Sequence, residues 1–158
     1  MSCEKRSDAN RPAAARTGGP LAFRMKMASD PRLLPVVRST VAELASVWGF
    51  EDEQCRCITL AVDEALSNVM RHAYQNRCDQ EIELNCQAHS NCLEFSFVDR
   101  GEAPDPSRFC AQPLDDAALG GRGTHLIREI MDEVLYERLP GANRLSLKKY
   151  LPGAKSKG

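Results

Sequence analysis

The chain has 158 residues, 42% of them hydrophobic, with 21 Lys+Arg against 22 Asp+Glu and a formal charge of -1. That length suits one domain with a real core, and the even charge balance gives no global pull toward nucleic acid. No apolar run approaches the roughly 20 residues a membrane-spanning helix needs. The polar, Ala/Pro/Gly/Arg-rich stretch Met1 to Pro20 lacks the apolar core of a secretory signal and reads as a disordered tail.

The first element is Leu21 to Met27, which alternates apolar and polar side chains as a strand does. Ser29-Asp30-Pro31 follows, with Asp30 or Ser29 as helix cap and Pro31 in the first turn. The helix runs to about Trp48 on the apolar positions Leu33, Val37, Val41, Leu44 and Val47, and Gly49 stops it. A longer helix is expected from about Glu51 to Tyr74, with Val62, Leu66, Val69 and Ala73 on its apolar face. Glu64 and Asn68 fall on the opposite side, free either to be solvated or to face a ligand.

Gln80 to Ala88 and Cys92 to Asp99 read as a hairpin around His89-Ser90-Asn91. Arg100 to Leu119 is irregular and proline-bearing, with the length and character of a functional lid. A glycine loop leads into a helix of about Thr124 to Glu133. A last hairpin pairs Val134 to Arg138 with Arg144 to Leu151 around Pro140-Gly141-Ala142-Asn143. The order is β-α-α-β-β-lid-α-β-β. It predicts an α+β two-layer sandwich, with helices on one face of a mixed, mostly antiparallel sheet. The domain spans 21–151 between a tail at 1–20 and another at 152–158.

The seven cysteines are odd in number and contain no C-x-x-C pair, so they indicate neither a disulfide framework nor a zinc ribbon. Cys55 and Cys57 diverge around a helix axis, and reduced thiols are expected. The three histidines show no metal-ligand spacing, and no G-x-S-x-G elbow is present.

Three segments carry chemistry. Glu64 and Asn68 stack one turn apart, where a carboxylate can deprotonate a hydroxyl and an amide oxygen can ligate a hard cation such as magnesium. The same spacing also occurs on ordinary exposed faces. Asp99 ends an apolar strand and is followed by Gly101. This is either a plain Asp-x-Gly turn or an acceptor for the amine of adenine, with glycine admitting the flat ring. Gly120-Gly121-Arg122-Gly123 opens a helix, either as a hinge or as a phosphate cradle of free N–H groups. It is neither a Walker loop nor a Rossmann fingerprint. None of the three is specific alone; their order and local settings favour a shared nucleotide pocket.

Together they resemble the GHKL (Bergerat-fold) ATP-binding superfamily. AVDEALSNVMRHAY looks like its N box, FVDRG like its first glycine box, and GGRGTHLIREIMDEV like its second. The combination of D-E-A-x-x-N with H-A-Y, and the ending M-D-E-V, is similar to the bacterial anti-sigma-factor serine/threonine kinases. The resemblance implies Glu64 as catalytic base toward a serine or threonine hydroxyl and Asn68 as magnesium ligand. It implies Asp99, with Gly101, as adenine reader and Gly121, Arg122, Gly123 and Thr124 as the phosphate-side contacts.

It further implies ATP and magnesium as cofactors and a cytoplasmic protein that binds a sigma factor. The expected substrate is an anti-anti-sigma protein of the STAS fold. Homodimers are common in that branch, and neither direct nucleic-acid binding nor a membrane is expected. A module that binds ATP and controls a partner without catalysis is the alternative. Two departures stand out. Ala103 replaces a glycine of the wider superfamily, as often in this branch, and Asn143-Arg144 occupy a strand region that often carries threonine.

Overall fold

The computed structural model describes residues 22–103 and 122–154. The strands are β1 (Ala22–Ala28), β2 (Glu81–Ala88), β3 (Cys92–Asp99), β4 (Glu133–Leu139) and β5 (Ala142–Tyr150). The α-helices are α1 (Leu34–Trp48), α2 (Asp52–Asn68) and α3 (Arg122–Ile130). One five-stranded sheet has the order β1-β2-β3-β5-β4. All of its pairings are antiparallel, so among the described residues no parallel pair of the expected mixed sheet is present.

The sheet has one dry face because its strands alternate. Ile82, Leu84 and Cys86 of β2 and Leu93, Phe95 and Phe97 of β3 are buried, while Glu83, Asn85, Glu94 and Ser96 point to the other side. The helices cover the dry face. On α2, Ile58, Ala61, Val62, Ala65 and Leu66 recur at three and four residues and join Phe95, Phe97 and Leu147 in one core. Burying each large side chain stabilises the fold by about 1.5–3 kcal/mol. The open face carries the ion pairs Lys26–Glu81, Lys148–Glu133 and Arg144–Glu137. No helix among the described residues is long and apolar enough to cross a membrane.

Several boundaries differ from the sequence expectation for identifiable reasons. Asp30 does cap, its Oδ1 accepting from the Arg32 N–H at 2.9 Å, but it opens a 3-10 turn at Pro31–Leu33 that runs into α1. Gly49 ends α1 with φ +107°, donating to the carbonyls of Ala45 and Ser46. The long helix does not continue as α-helix to Tyr74. Its last turn, Val69–Ala73, widens to π geometry, and the Tyr74 N–H reaches the Val69 carbonyl at 3.1 Å.

α3 starts at Arg122 and stops at Ile130, short of Glu133. The Asp132 N–H donates to the Lys148 carbonyl at 2.9 Å, and its carboxylate accepts from the Tyr150 N–H at 2.7 Å, so β5 captures the segment. The β4–β5 turn is only Pro140-Gly141, with Leu139 paired to Ala142. Asn143 is therefore a strand residue and not part of the loop. β5 ends at Tyr150, one residue before Leu151.

Of the described cysteines, Cys55, Cys86 and Cys92 are buried, Cys57 and Cys78 are exposed, and all are free thiols. Burial pushes the Cys86 thiol up to about 12. The expected tail at 1–20 lies outside the described residues, as does the expected lid, Arg100 to Leu119, beyond its first four residues.

Candidate functional site

Helix α2 presents Glu64 and Asn68 on the edge of the layer that α3 packs against. Both side chains are half-buried, not fully solvated. A single nitrogen, Nη2 of Arg71, lies 3.0 Å from Glu64 Oε1 and 3.0 Å from Asn68 Oδ1. Two oxygens converging on one cationic nitrogen form a cation-seeking pair. Their hard-oxygen character fits magnesium, which completes its shell with phosphates and water. Arg71 was not singled out in the sequence, although its three-residue spacing from Asn68 was a readable signal.

Gly123 sits in the first turn of α3, directly over Glu64. A Cβ built at Gly123 would lie 1.8 Å from Glu64 Oε1. Glycine is thus required for the carboxylate to reach the start of that helix. The N–H groups of its first turn, at Arg122, Gly123 and Thr124, have no partner within the helical ladder and carry the positive end of its dipole. A carboxylate and the positive end of a helix dipole therefore share one spot. Gly121 and Gly120 lie outside the described residues.

Asp99 and Gly101 reach the same helix at its π turn. A Cβ at Gly101 would lie 2.3 Å from the Ala73 carbonyl oxygen, and the Glu102 N–H donates to that oxygen at 3.0 Å. The glycine therefore serves a backbone contact, which sequence reasoning assigned instead to a flat ligand. Tyr74 seals the junction. Its hydroxyl donates to the Glu81 carbonyl at 2.6 Å and accepts from the Arg100 N–H at 2.9 Å.

Asp99 is only 6% exposed. Burial raises its pKa, and hydrogen bonds from the Asn143 amide at 2.8 Å and the Gly101 N–H at 2.9 Å work against that rise. Both bonds end on Oδ1. Among the described residues nothing donates to Oδ2, which leaves a buried carboxylate with one unused acceptor. Among those residues no group of three or more His, Cys, Asp and Glu is placed to hold a metal. A bound cation here would thus rely on few protein ligands.

The model of the histidine kinase-like ATPase domain matches residues 27–149, which contain all of this machinery. The chain belongs to that family. Within it, the chain is 28% identical over 135 residues to the serine-protein kinase RsbW of Oceanobacillus iheyensis, covering 80% of this chain and 85% of the relative. It is 35% identical over 94 residues to the serine/threonine-protein kinase BtrW of Bordetella bronchiseptica, covering 57% of this chain and 66% of that one.

Among solved structures, the RsbU and RsbW domains of Rv1364c from Mycobacterium tuberculosis share the fold. The TM-score is 0.60 at 15% identity, over 82% of this chain and 32% of that one. This ATPase domain thus spans about a third of that chain. The α+β sandwich anticipated from the sequence is the fold of this family.

Proposed function

We propose that this histidine kinase-like ATPase domain is a protein serine/threonine kinase that uses ATP and magnesium. We further propose that it restrains a sigma factor and phosphorylates a STAS-type anti-anti-sigma protein. The observation that carries the reading is the approach of Glu64 to the N-terminal turn of α3 through Gly123. A carboxylate beside free N–H groups supports proton abstraction next to a bound phosphate. The kinase relatives supply the class of acceptor.

In this reading Asp99 takes the exocyclic amine of adenine on Oδ2, and Gly121, Arg122, Gly123 and Thr124 line the phosphates. Asn68 supplies an oxygen to magnesium, whose charge offsets that of the phosphates. Glu64 accepts the proton of the acceptor hydroxyl. The freed oxygen forms a bond to the γ-phosphorus, the bond from that phosphorus to the β–γ bridging oxygen breaks, and ADP departs. Such transfer needs mainly positioning and charge stabilisation, which the residues present can supply. A sigma-factor partner implies a cytoplasmic location, and a homodimer is part of the proposal.

The test is transfer of labelled γ-phosphate to a purified STAS protein, with Glu64→Gln beside the parent. Transfer by the parent and its loss in Glu64→Gln with ATP binding retained support the kinase. ATP binding by the parent with no transfer favours a regulator that acts by binding alone. Undiminished transfer in Glu64→Gln refutes the assigned base.

A further inference from the structure

Asn143 stands opposite Asp99 in the β3–β5 register and is 1% exposed. Both ends of its amide are engaged. Nδ2 donates to Asp99 Oδ1 at 2.8 Å and lies 3.2 Å from the Gly101 carbonyl. Oδ1 accepts from the Tyr136 hydroxyl at 2.8 Å and from Nη1 of Arg138, both on β4. A carboxamide has one accepting and one donating end, so the two donors on β4 decide which end faces Asp99. Turned over, the amide would aim its oxygen at a carboxylate and its NH2 at a guanidinium. Both contacts are repulsive.

We propose that Tyr136 and Arg138, acting through Asn143, are positioning residues for the base-reading carboxylate and set its preference for a 6-aminopurine over a 6-oxopurine. This rests on the nucleotide-site reading above. With Asn143 held on Oδ1, Asp99 is left with Oδ2 as an acceptor. An exocyclic amine donates to it, whereas a 6-oxo group sets lone pair against lone pair. The preference lasts only while Asp99 is ionised, because a protonated carboxyl donates and welcomes the oxo group.

The groups coupled to Asp99 are Tyr74 after the π turn and Tyr136 and Arg138 on β4. Arg138 is the cation among them, and its charge favours the ionised form. It acts from an exposed position near the tip of the edge hairpin, so its replacement leaves the core intact.

The experiment is calorimetric titration of the full chain with Mg-ATP and Mg-GTP at about pH 6 and about pH 8. The chains compared are the parent, Arg138→Gln, Tyr136→Phe, the double variant, and Arg138→Lys as the charge-retaining rescue. The double variant is expected to lose about tenfold in ATP affinity at the lower pH, as two part-buried hydrogen bonds to Asn143, one of them charge-assisted, are removed. The loss shrinks at the higher pH, the ATP-to-GTP ratio falls, and Arg138→Lys recovers most of it.

Equal losses for both nucleotides at both pH values overturn the proposal, as does no change at all. A folded parent that binds neither nucleotide overturns the site reading itself. A parent that binds ATP beside indifferent variants overturns only this inference.

Discussion

Gly123 and Glu64 touch so closely that no side chain fits between them: a Cβ at 123 would fall 1.8 Å from Oε1 and 2.5 Å from Cδ of the glutamate. The obstacle is the end of a flexible side chain, so the backbone can stay in place while the carboxylate swings out. Alanine also favours a helix over glycine by about 0.5–1 kcal/mol. Gly123→Ala should therefore hold or raise the melting temperature while phosphate transfer falls at least about tenfold, the scale of a displaced general base. Thermal melts beside transfer assays separate the two effects. Unchanged transfer would remove the functional meaning of the contact.

Gly101 gives the contrasting case. Its virtual Cβ would meet the Ala73 carbonyl oxygen at 2.3 Å and the carbonyl carbon at 2.6 Å, both backbone atoms. Neither can rotate away, so Gly101→Ala has to part the Asp99 turn from the π segment. The expected cost is about 1–3 kcal/mol, the usual range for overpacking, read as a lowered urea midpoint. ATP affinity should fall with it, because the Gly101 N–H also holds Asp99 Oδ1 at 2.9 Å. A stability equal to the parent would show that the turn has room to shift.

These two glycines show how far the sequence could be read. The strands and helices follow from alternation and from three-and-four spacing, because burial on one face imposes those periods on Leu84, Phe95, Phe97, Val62 and Leu66. Glu64, Asn68 and Asp99 were legible as candidates because chemistry restricts the residue types. The reason for Gly101 was not legible, since a backbone contact with Ala73 leaves no mark in either local segment. Asn143 was noted only as a departure from a family pattern. Its role depends on cross-strand register, set by a two-residue turn two residues tighter than composition suggested. Arg71 escaped notice because a long cation on a helix surface is ordinary until its partners are known.

Asp99 carries a pH prediction. Burial raises its folded pKa above the ordinary 3.8. Below that ordinary value the acid is neutral in both folded and unfolded chains, and its contribution to stability is fully present. That contribution is lost as pH rises through the raised folded value, because the folded state then holds a buried charge. Asp99→Asn, which stays neutral, should therefore match the parent near about pH 4 and exceed it in stability near neutrality, with the gap opening between. Urea midpoints across that range read the gap, and nucleotide calorimetry should find ATP binding lost in the same variant. A gap that widens toward acid would mean that hydrogen bonds, not burial, dominate at Asp99.

Arg71 yields a prediction about metal demand. Its guanidinium bridges Glu64 and Asn68 at 3.0 Å each, and its side chain is 51% exposed. A half-exposed pair of this kind contributes under about 1 kcal/mol to stability, so Arg71→Ala should melt close to the parent. The larger consequence is at the proposed cation site. Arg71 occupies Asn68 Oδ1, the oxygen that magnesium would use in the proposed reading, and pairs with Glu64 beside it, and a positive charge about 4 Å away in a water-like medium opposes a second cation by about 1 kcal/mol per unit charge. Removing it should lower the magnesium concentration for half-maximal ATP binding by roughly fivefold or more. Arg71→Lys should stay near the parent, because it keeps the charge. The measurement is a magnesium titration at fixed, saturable ATP. If Arg71→Ala instead demands more magnesium, the guanidinium assists the phosphates and does not compete for the metal's oxygens.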